Sequence, residues 1–63
     1  MPIIRIELSP GRSRDQKNRY VEEVTRLTAE IFECKPDSVD ILFVEIPPCE
    51  WARGGRFLAQ RPE

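Results

Sequence analysis

Residues 39–46 read VDILFVEI, and this segment carries apolar side chains at nearly every position. Successive residues of a strand point to opposite faces, so the apolar positions divide into two rows. One row is Val39, Ile41 and Phe43, and the other is Leu42, Val44 and Ile46. A strand that is apolar on both faces is typical of a sheet that is covered on both sides. The segment therefore predicts a strand inside a layered structure.

The segment from Ile3 to Leu8 predicts another strand. Its residues alternate with a period of two, and they are rich in isoleucine. One face of this strand carries Ile4, Ile6 and Leu8. The pair Pro10-Gly11 has the composition of a turn, which ends the strand.

The residues between these strands predict a helix. Ser13 and Gln16 have the spacing of a capping box, and Asp15 in the first turn favours the helix dipole. The side chains that recur at helical spacing on one stripe are Val21, Val24, Leu27, Thr28, Ile31 and Phe32. We expect the helix to end at Pro36, because the residue before a proline disfavours the α conformation.

A strand, a helix and a strand in so short a chain predict one right-handed β-α-β unit with parallel strands, of the α/β (α+β) class, in a single domain over residues 1–63. Gly54-Gly55 predicts a short C-terminal hairpin. One helix covers one face of the sheet only. Because a chain of 63 residues buries only about 60% of its unfolded surface, it is marginally stable by itself. We therefore expect another copy of the chain to cover the second face.

Composition limits the possible functions. The chain has no histidine, and Cys34 and Cys49 lack the spacing of a metal site, so we expect no metal. Ten basic and eleven acidic residues are interspersed, which argues against a nucleic-acid partner. No apolar segment is long enough for a signal peptide or a membrane span. We expect a cytoplasmic protein with no membrane partner.

Pro2 is open to two interpretations. A proline has no backbone N–H to give to a sheet, so it fits the first position of a strand. A small residue at position 2 also permits removal of Met1, which would leave Pro2 with a free secondary amine. Only the residues around that amine can give it a role.

Several short motifs together resemble the 4-oxalocrotonate tautomerase family. They are PIIRI at 2–6, GRS at 11–13, VEIPP at 44–48, Trp51 and the Gly-Gly turn at 54–55. They occur in the family's order and spacing over nearly the whole chain. The resemblance implies a β-α-β subunit assembled as a hexamer, with active sites between subunits and a role in aromatic degradation.

The same resemblance implies an isomerase that needs no cofactor and acts on a small-molecule carboxylate. Pro2 matches the family's catalytic base, which moves a proton in an unsaturated 2-hydroxy or 2-oxo acid. Arg12 matches the arginine that binds a substrate carboxylate, and a guanidinium can hold a carboxylate in a bidentate manner. Trp51 lies where the family has an aromatic residue in the wall of the substrate pocket.

The chain departs from the family pattern at Asp40. The best-studied relatives carry a second arginine there, which polarises the substrate in a neighbouring subunit's site. An aspartate would repel a dicarboxylate at the same place. Arginines that could replace it from another direction are Arg5, Arg14, Arg53 and Arg56.

Two alternative functions follow from these residues. The same proline could serve hydration or dehalogenation, for which Glu50 or Asp40 would activate water. The chain could also be a non-catalytic subunit of a hetero-oligomer, and loss of the second arginine favours that interpretation.

Overall fold

The computed structural model describes residues 1–60, and it consists mainly of two strands joined by a helix. The elements are β1, Ile3–Leu8; α1, Arg14–Phe32; and β2, Asp40–Glu45. Strands β1 and β2 pair in parallel, and the register runs from Ile3 opposite Asp40 to Leu8 opposite Glu45. The predicted β-α-β unit is confirmed. Residues 61–63 of the predicted domain lie outside the described part of the chain.

A short antiparallel hairpin follows this unit. Strand β3, Ala52–Arg53, pairs with strand β4, Arg56–Phe57. The two residues between them are Gly54 and Gly55, with φ angles of 61° and 86°. Two positive φ angles in a two-residue loop are the geometry that glycines permit in tight hairpins. The hairpin predicted from the Gly-Gly pair is therefore confirmed.

The helix begins as the sequence predicts. The Ser13 hydroxyl accepts a hydrogen bond from the Gln16 amide at 3.1 Å, and the Gln16 side-chain oxygen accepts one from the Ser13 amide at 2.9 Å. This reciprocal pair satisfies two amides that the first turn leaves without helical partners. The capping box fixes the start of α1 at Arg14, directly after the segment GRS.

The helix ends earlier than the proline predicts. Its last residue is Phe32, and Glu33 adopts a left-handed conformation with φ of 54° while its amide still donates to the Ala29 carbonyl. A left-handed residue is a common way to end a helix. Pro36 instead opens a short 3-10 turn, Pro36–Ser38, that leads into β2. The predicted end at Pro36 is therefore wrong by about one helical turn.

Residues 1–60 of an isolated chain form no buried core. None of residues 1–60 is buried, and the radius of gyration is 15.4 Å. A compact chain of this length would have a radius near 11 Å. The molecule measures 47 by 25 by 14 Å, so it is a thin plate. Its apolar groups meet water unless something else covers them.

The helix covers one face of the sheet and leaves the other open. Tyr20 of α1 contacts Phe43 of β2, which places the helix over the row that includes Ile41 and Phe43. On the opposite face Ile3 is 64% exposed and Leu42 is 49% exposed. Across residues 1–60, no helix is both long enough and apolar enough to pass through a bilayer. The open face is the one that the sequence predicts to need a partner.

Candidate active site

Pro2 lies at the start of β1 and is held by one backbone hydrogen bond. Its carbonyl accepts a bond from the Asp40 amide at 3.0 Å. Pro2 is half-buried, whereas Met1 before it is 87% exposed. With Met1 attached, the Pro2 nitrogen belongs to a peptide bond and carries no basic lone pair. The exposure of Met1 leaves it accessible to removal.

Asp40, the departure from the family pattern, lies beside Pro2 in the same chain. It begins β2 opposite Ile3 and shares that residue's sheet face, which is the face away from α1. Its side chain is exposed. The start of the sheet therefore combines the candidate base with a carboxylate on the neighbouring strand.

Arg12 lies at the other end of β1, in the turn that leads to α1. Gly11 before it has φ of 118°, a conformation that a residue with a side chain rarely adopts. Arg12 is exposed, and within residues 1–60 its guanidinium makes no hydrogen bond or ion pair. An unpaired guanidinium in a fixed turn is available for a ligand carboxylate.

A cavity of about 260 Å³ opens beside Arg12, between the first turns of α1 and the sheet. The other residues around it are Ile6, Leu8, Gln16, Lys17, Tyr20 and Phe43. Tyr20 and Phe43 meet edge to face, with ring centroids 5.9 Å apart. Small-molecule sites typically have such apolar walls with a few polar groups that fix the ligand's orientation.

Lys17 is the second cation of this cavity, and it has a partner. Its ammonium lies 2.8 Å from a carboxylate oxygen of Glu45, at the end of β2. It also lies 5.6 Å from the centre of the Phe43 ring, within the range of a cation–π contact. The Lys17 side chain is only 19% exposed. These contacts hold the ammonium in one place at the cavity.

Lys17 and Tyr20 were not among the site residues predicted from the sequence. Helix positions three and four residues apart share a face, so Lys17, Tyr20 and Val24 continue one stripe toward the helix start. That spacing was the available signal. The predicted apolar stripe begins only at Val21, because the residues that precede it on the same face are a lysine and a tyrosine.

Trp51 lies at the same end of the sheet as Arg12 but on the opposite face. It lines a second cavity of about 410 Å³ with Glu7, Ile46, Glu50 and Ala52. Glu7 alternates along β1 with the residues that face α1, so this cavity opens away from the helix. The Trp51 carbonyl accepts a 2.8 Å bond from the Leu58 amide, which ties the hairpin to it.

The three predicted site residues do not meet within one chain. The six residues of β1 separate Pro2 from Arg12, which amounts to about 20 Å at the rise of a strand. Trp51 shares an edge with Arg12 but is divided from it by the sheet. A single chain therefore presents the parts of the predicted site on three separate surfaces.

Comparison with known proteins assigns the chain to a family. The model of the family described as "Tautomerase enzyme" matches residues 2–61. The chain belongs to the tautomerase family. A probable tautomerase of Halalkalibacterium halodurans is 28% identical over 61 residues, which cover 97% of this chain and 100% of that protein.

Solved structures of 4-oxalocrotonate tautomerase homologues have the same fold. TomN, a homologue in the tomaymycin biosynthetic pathway, is 33% identical with a TM-score of 0.82, covering 95% of this chain and 92% of its own. A heterohexamer 4-oxalocrotonate tautomerase from Chloroflexus aurantiacus is 29% identical with a TM-score of 0.80, covering 92% and 94%. The resemblance found in the motifs is thus confirmed, and the chain is a tautomerase-superfamily member with the fold of these homologues.

Proposed function

We propose that the protein is a cofactor-independent tautomerase of the cytoplasm that moves a proton in an unsaturated 2-hydroxy or 2-oxo acid. Pro2 is the general base, Arg12 binds the substrate carboxylate, and Trp51 forms part of the pocket wall. The observation that carries this proposal is the Arg12 guanidinium, which has no partner among residues 1–60 and lies beside an apolar cavity in a chain of the tautomerase family. A guanidinium in that setting has a carboxylate as its natural ligand.

The chemistry of Pro2 requires removal of Met1. The freed secondary amine takes a proton from one position of the substrate and returns it to a carbon further along the conjugated system. Cations nearby and a partly dry pocket both lower the pKa of such an amine, because both disfavour its protonated form. A base with a pKa near the working pH is the most effective in proton transfer. No metal or cofactor is needed for this step.

The active site in this proposal is shared between copies of the chain in a homo-oligomer, of which a hexamer is the expected form. One chain holds Pro2 and Arg12 about 20 Å apart, which exceeds the length of a small acid. The open apolar face with Ile3 and Leu42 supplies a surface for assembly. The base of one copy then meets the carboxylate-binding arginine of another copy.

The decisive experiment combines mass spectrometry with kinetics. Intact mass shows which fraction of the purified protein lacks Met1, and ketonisation of phenylenolpyruvate measures activity. We expect activity only in the processed fraction, with kcat/KM rising with pH as the amine loses its proton. Acylation of the Pro2 amine should lower the rate by about 10²- to 10⁴-fold, the range of a general base.

Peptide mapping is the control for this experiment. It must show the acyl group on Pro2 and not on Lys17 or Lys35. A full rate with Pro2 completely blocked would contradict its role as the base. Processed, assembled protein that turns over no enol acid would favour the non-catalytic subunit of a hetero-oligomer, a form of assembly that the heterohexameric relative has.

One observation favours a second candidate function. Asp40 lies on the strand next to Pro2, and a carboxylate there would stabilise the protonated amine. A protonated proline with a carboxylate to activate water suits hydration or dehalogenation of an unsaturated acid. Release of halide from a haloacrylate, or water addition to an alkynoate, would separate this function from tautomerisation.

A further inference from the structure

The cavity beside Arg12 has two cations at its wall, of which one is already neutralised. Arg12 has no partner among residues 1–60, whereas Lys17 is bound to Glu45 at 2.8 Å. Arg14 and Asp15, the other charged residues near the helix start, do not line the cavity. The net charge available to a ligand here is therefore close to one positive unit. That charge matches one carboxylate.

Glu45 is well placed to control the net charge at the wall of this cavity. It lies at the end of β2 opposite Leu8, which itself lines the cavity. The Lys17 side chain is only 19% exposed and also contacts the Phe43 ring, so its position does not depend on Glu45 alone. Removal of the Glu45 charge would leave a second, unpaired cation at the cavity wall.

The rest of the wall suits an apolar group. Ile6, Leu8, Tyr20 and Phe43 surround a space of about 260 Å³. An engineered apolar cavity of about 150 Å³ is known to hold benzene, so this space is large enough for a ring or a branched hydrocarbon. A second carboxylate placed here would lose its hydration without gaining an unpaired cation.

We propose that the Arg12 cavity accepts acids with a single carboxylate and an apolar group, and that Glu45 sets this preference by neutralising Lys17. The inference rests on the proposed function, since it names the substrate class of the same site. Glu45 is a specificity-determining residue that acts through Lys17 and does not touch the reacting atoms.

The test compares two substrates that differ at one end. Both are 2-hydroxydienoates, one ending in a carboxylate and the other in a phenyl group. We expect the wild-type protein to prefer the phenyl compound in kcat/KM. Glu45→Gln should raise the ratio of kcat/KM for the dicarboxylate to kcat/KM for the phenyl compound about tenfold. The reason is that the Lys17 ammonium loses its partner and can bind the second carboxylate.

Two further variants make the test specific. Lys17→Met added to Glu45→Gln should return the ratio to the wild-type value. Glu30→Gln is the matched control, because it removes the same charge from an exposed pair with Arg26, thirteen residues along the helix from Lys17. This control should leave the ratio unchanged. A gain that persists without Lys17, or that also appears in Glu30→Gln, would overturn the proposal.

Ligand binding to wild-type protein tests the inference without variants and without turnover. Calorimetry should show tighter binding of 3-phenylpropionate than of adipate, by about tenfold. Equal binding, or tighter binding of adipate, would overturn the preference even if Glu45→Gln failed to fold. If phenylpropionate binds as expected while neither dienoate reacts, the proposed function fails and the binding preference stands.

Discussion

The two ends of the parallel sheet differ in charge and in the chemistry they can perform. At the start of the strands Pro2 lies beside Asp40, and the carboxylate there is exposed. At the other end Arg12 and Lys17 border an apolar cavity. The first end holds the candidate base, and the second end holds the cations that could bind an acid.

This division indicates how a small chain could form an active site whose parts do not meet within one copy. Parallel pairing places both strand starts at one edge and both strand ends at the other, so β1 holds the two functions about 20 Å apart. In the proposed oligomer, the strand starts of one copy would meet the strand ends of another. This arrangement can be tested in three respects: whether both ends depend on assembly, whether they combine across copies, and whether their charges set the substrate.

Leu42→Asp should have the largest effect, because loss of assembly would abolish the functions of both ends of the sheet at once. Leu42 is 49% exposed on the open sheet face, where assembly would enclose an unpaired carboxylate. We expect sedimentation to show loss of the oligomer and activity to disappear. Asn18→Asp adds the same charge on the exposed side of the helix and should change neither. A variant at Leu42 that stays assembled and active would show that this face is not the interface.

Arg12→Ala should weaken only the binding end. Loss of a charge-assisted hydrogen bond costs about 1.5–3 kcal/mol, so kcat/KM should fall about ten- to a hundredfold, mainly through KM. Blocking Pro2 should instead lower kcat. Steady-state kinetics on phenylenolpyruvate separates the two effects, and Arg12→Lys should recover part of the loss because it keeps the charge without the fork geometry.

A mixture of these two impaired forms extends the same test. Unfolding and refolding Arg12→Ala together with amine-blocked protein would place an intact Pro2 next to an intact Arg12 in about one site in four, if each site draws them from different copies. Activity should return to that fraction. No recovery from mixed oligomers would indicate that one chain supplies both residues.

Asp40→Arg should have the smallest effect, and it would make the two ends alike in charge. We expect kcat/KM for the dicarboxylate hydroxydienoate to rise about tenfold relative to the monocarboxylate compound. High salt should reduce this gain, because Asp40 is exposed. A wild-type protein that already prefers the dicarboxylate, and loses that preference on substitution, would show that another arginine fills the role.

Much of the fold could be predicted because its signals are local. The capping box at Ser13, the alternation from Ile3 to Leu8 and the Gly54-Gly55 turn each depend on neighbours in sequence, and the structure confirms all three. The end of the helix was missed for the converse reason. Pro36 is a conspicuous terminator, whereas nothing in the sequence marks Glu33 as the residue that turns left-handed.

The candidate site was harder to predict because its contacts are distant in sequence. Lys17 and Glu45 are 28 positions apart, and only the register of β2 beneath the helix brings them to 2.8 Å. The family resemblance named Pro2, Arg12 and Trp51 and implied sites between subunits, but it did not say how far apart these three residues lie within one chain. Their separation became evident only from the pairing of the strands and from the face of the sheet on which each residue lies.

Residues 1–60 form a thin plate without a buried core, so if the chain assembles as proposed, its stability depends on its concentration. A fold that hides its apolar groups only against other copies gains its free energy of folding from association, so dilution weakens it as surely as heat does. The amount of protein in the cell would then decide how much of it is folded at all. In such a system, doubling the number of chains that are synthesised would more than double the number of active sites.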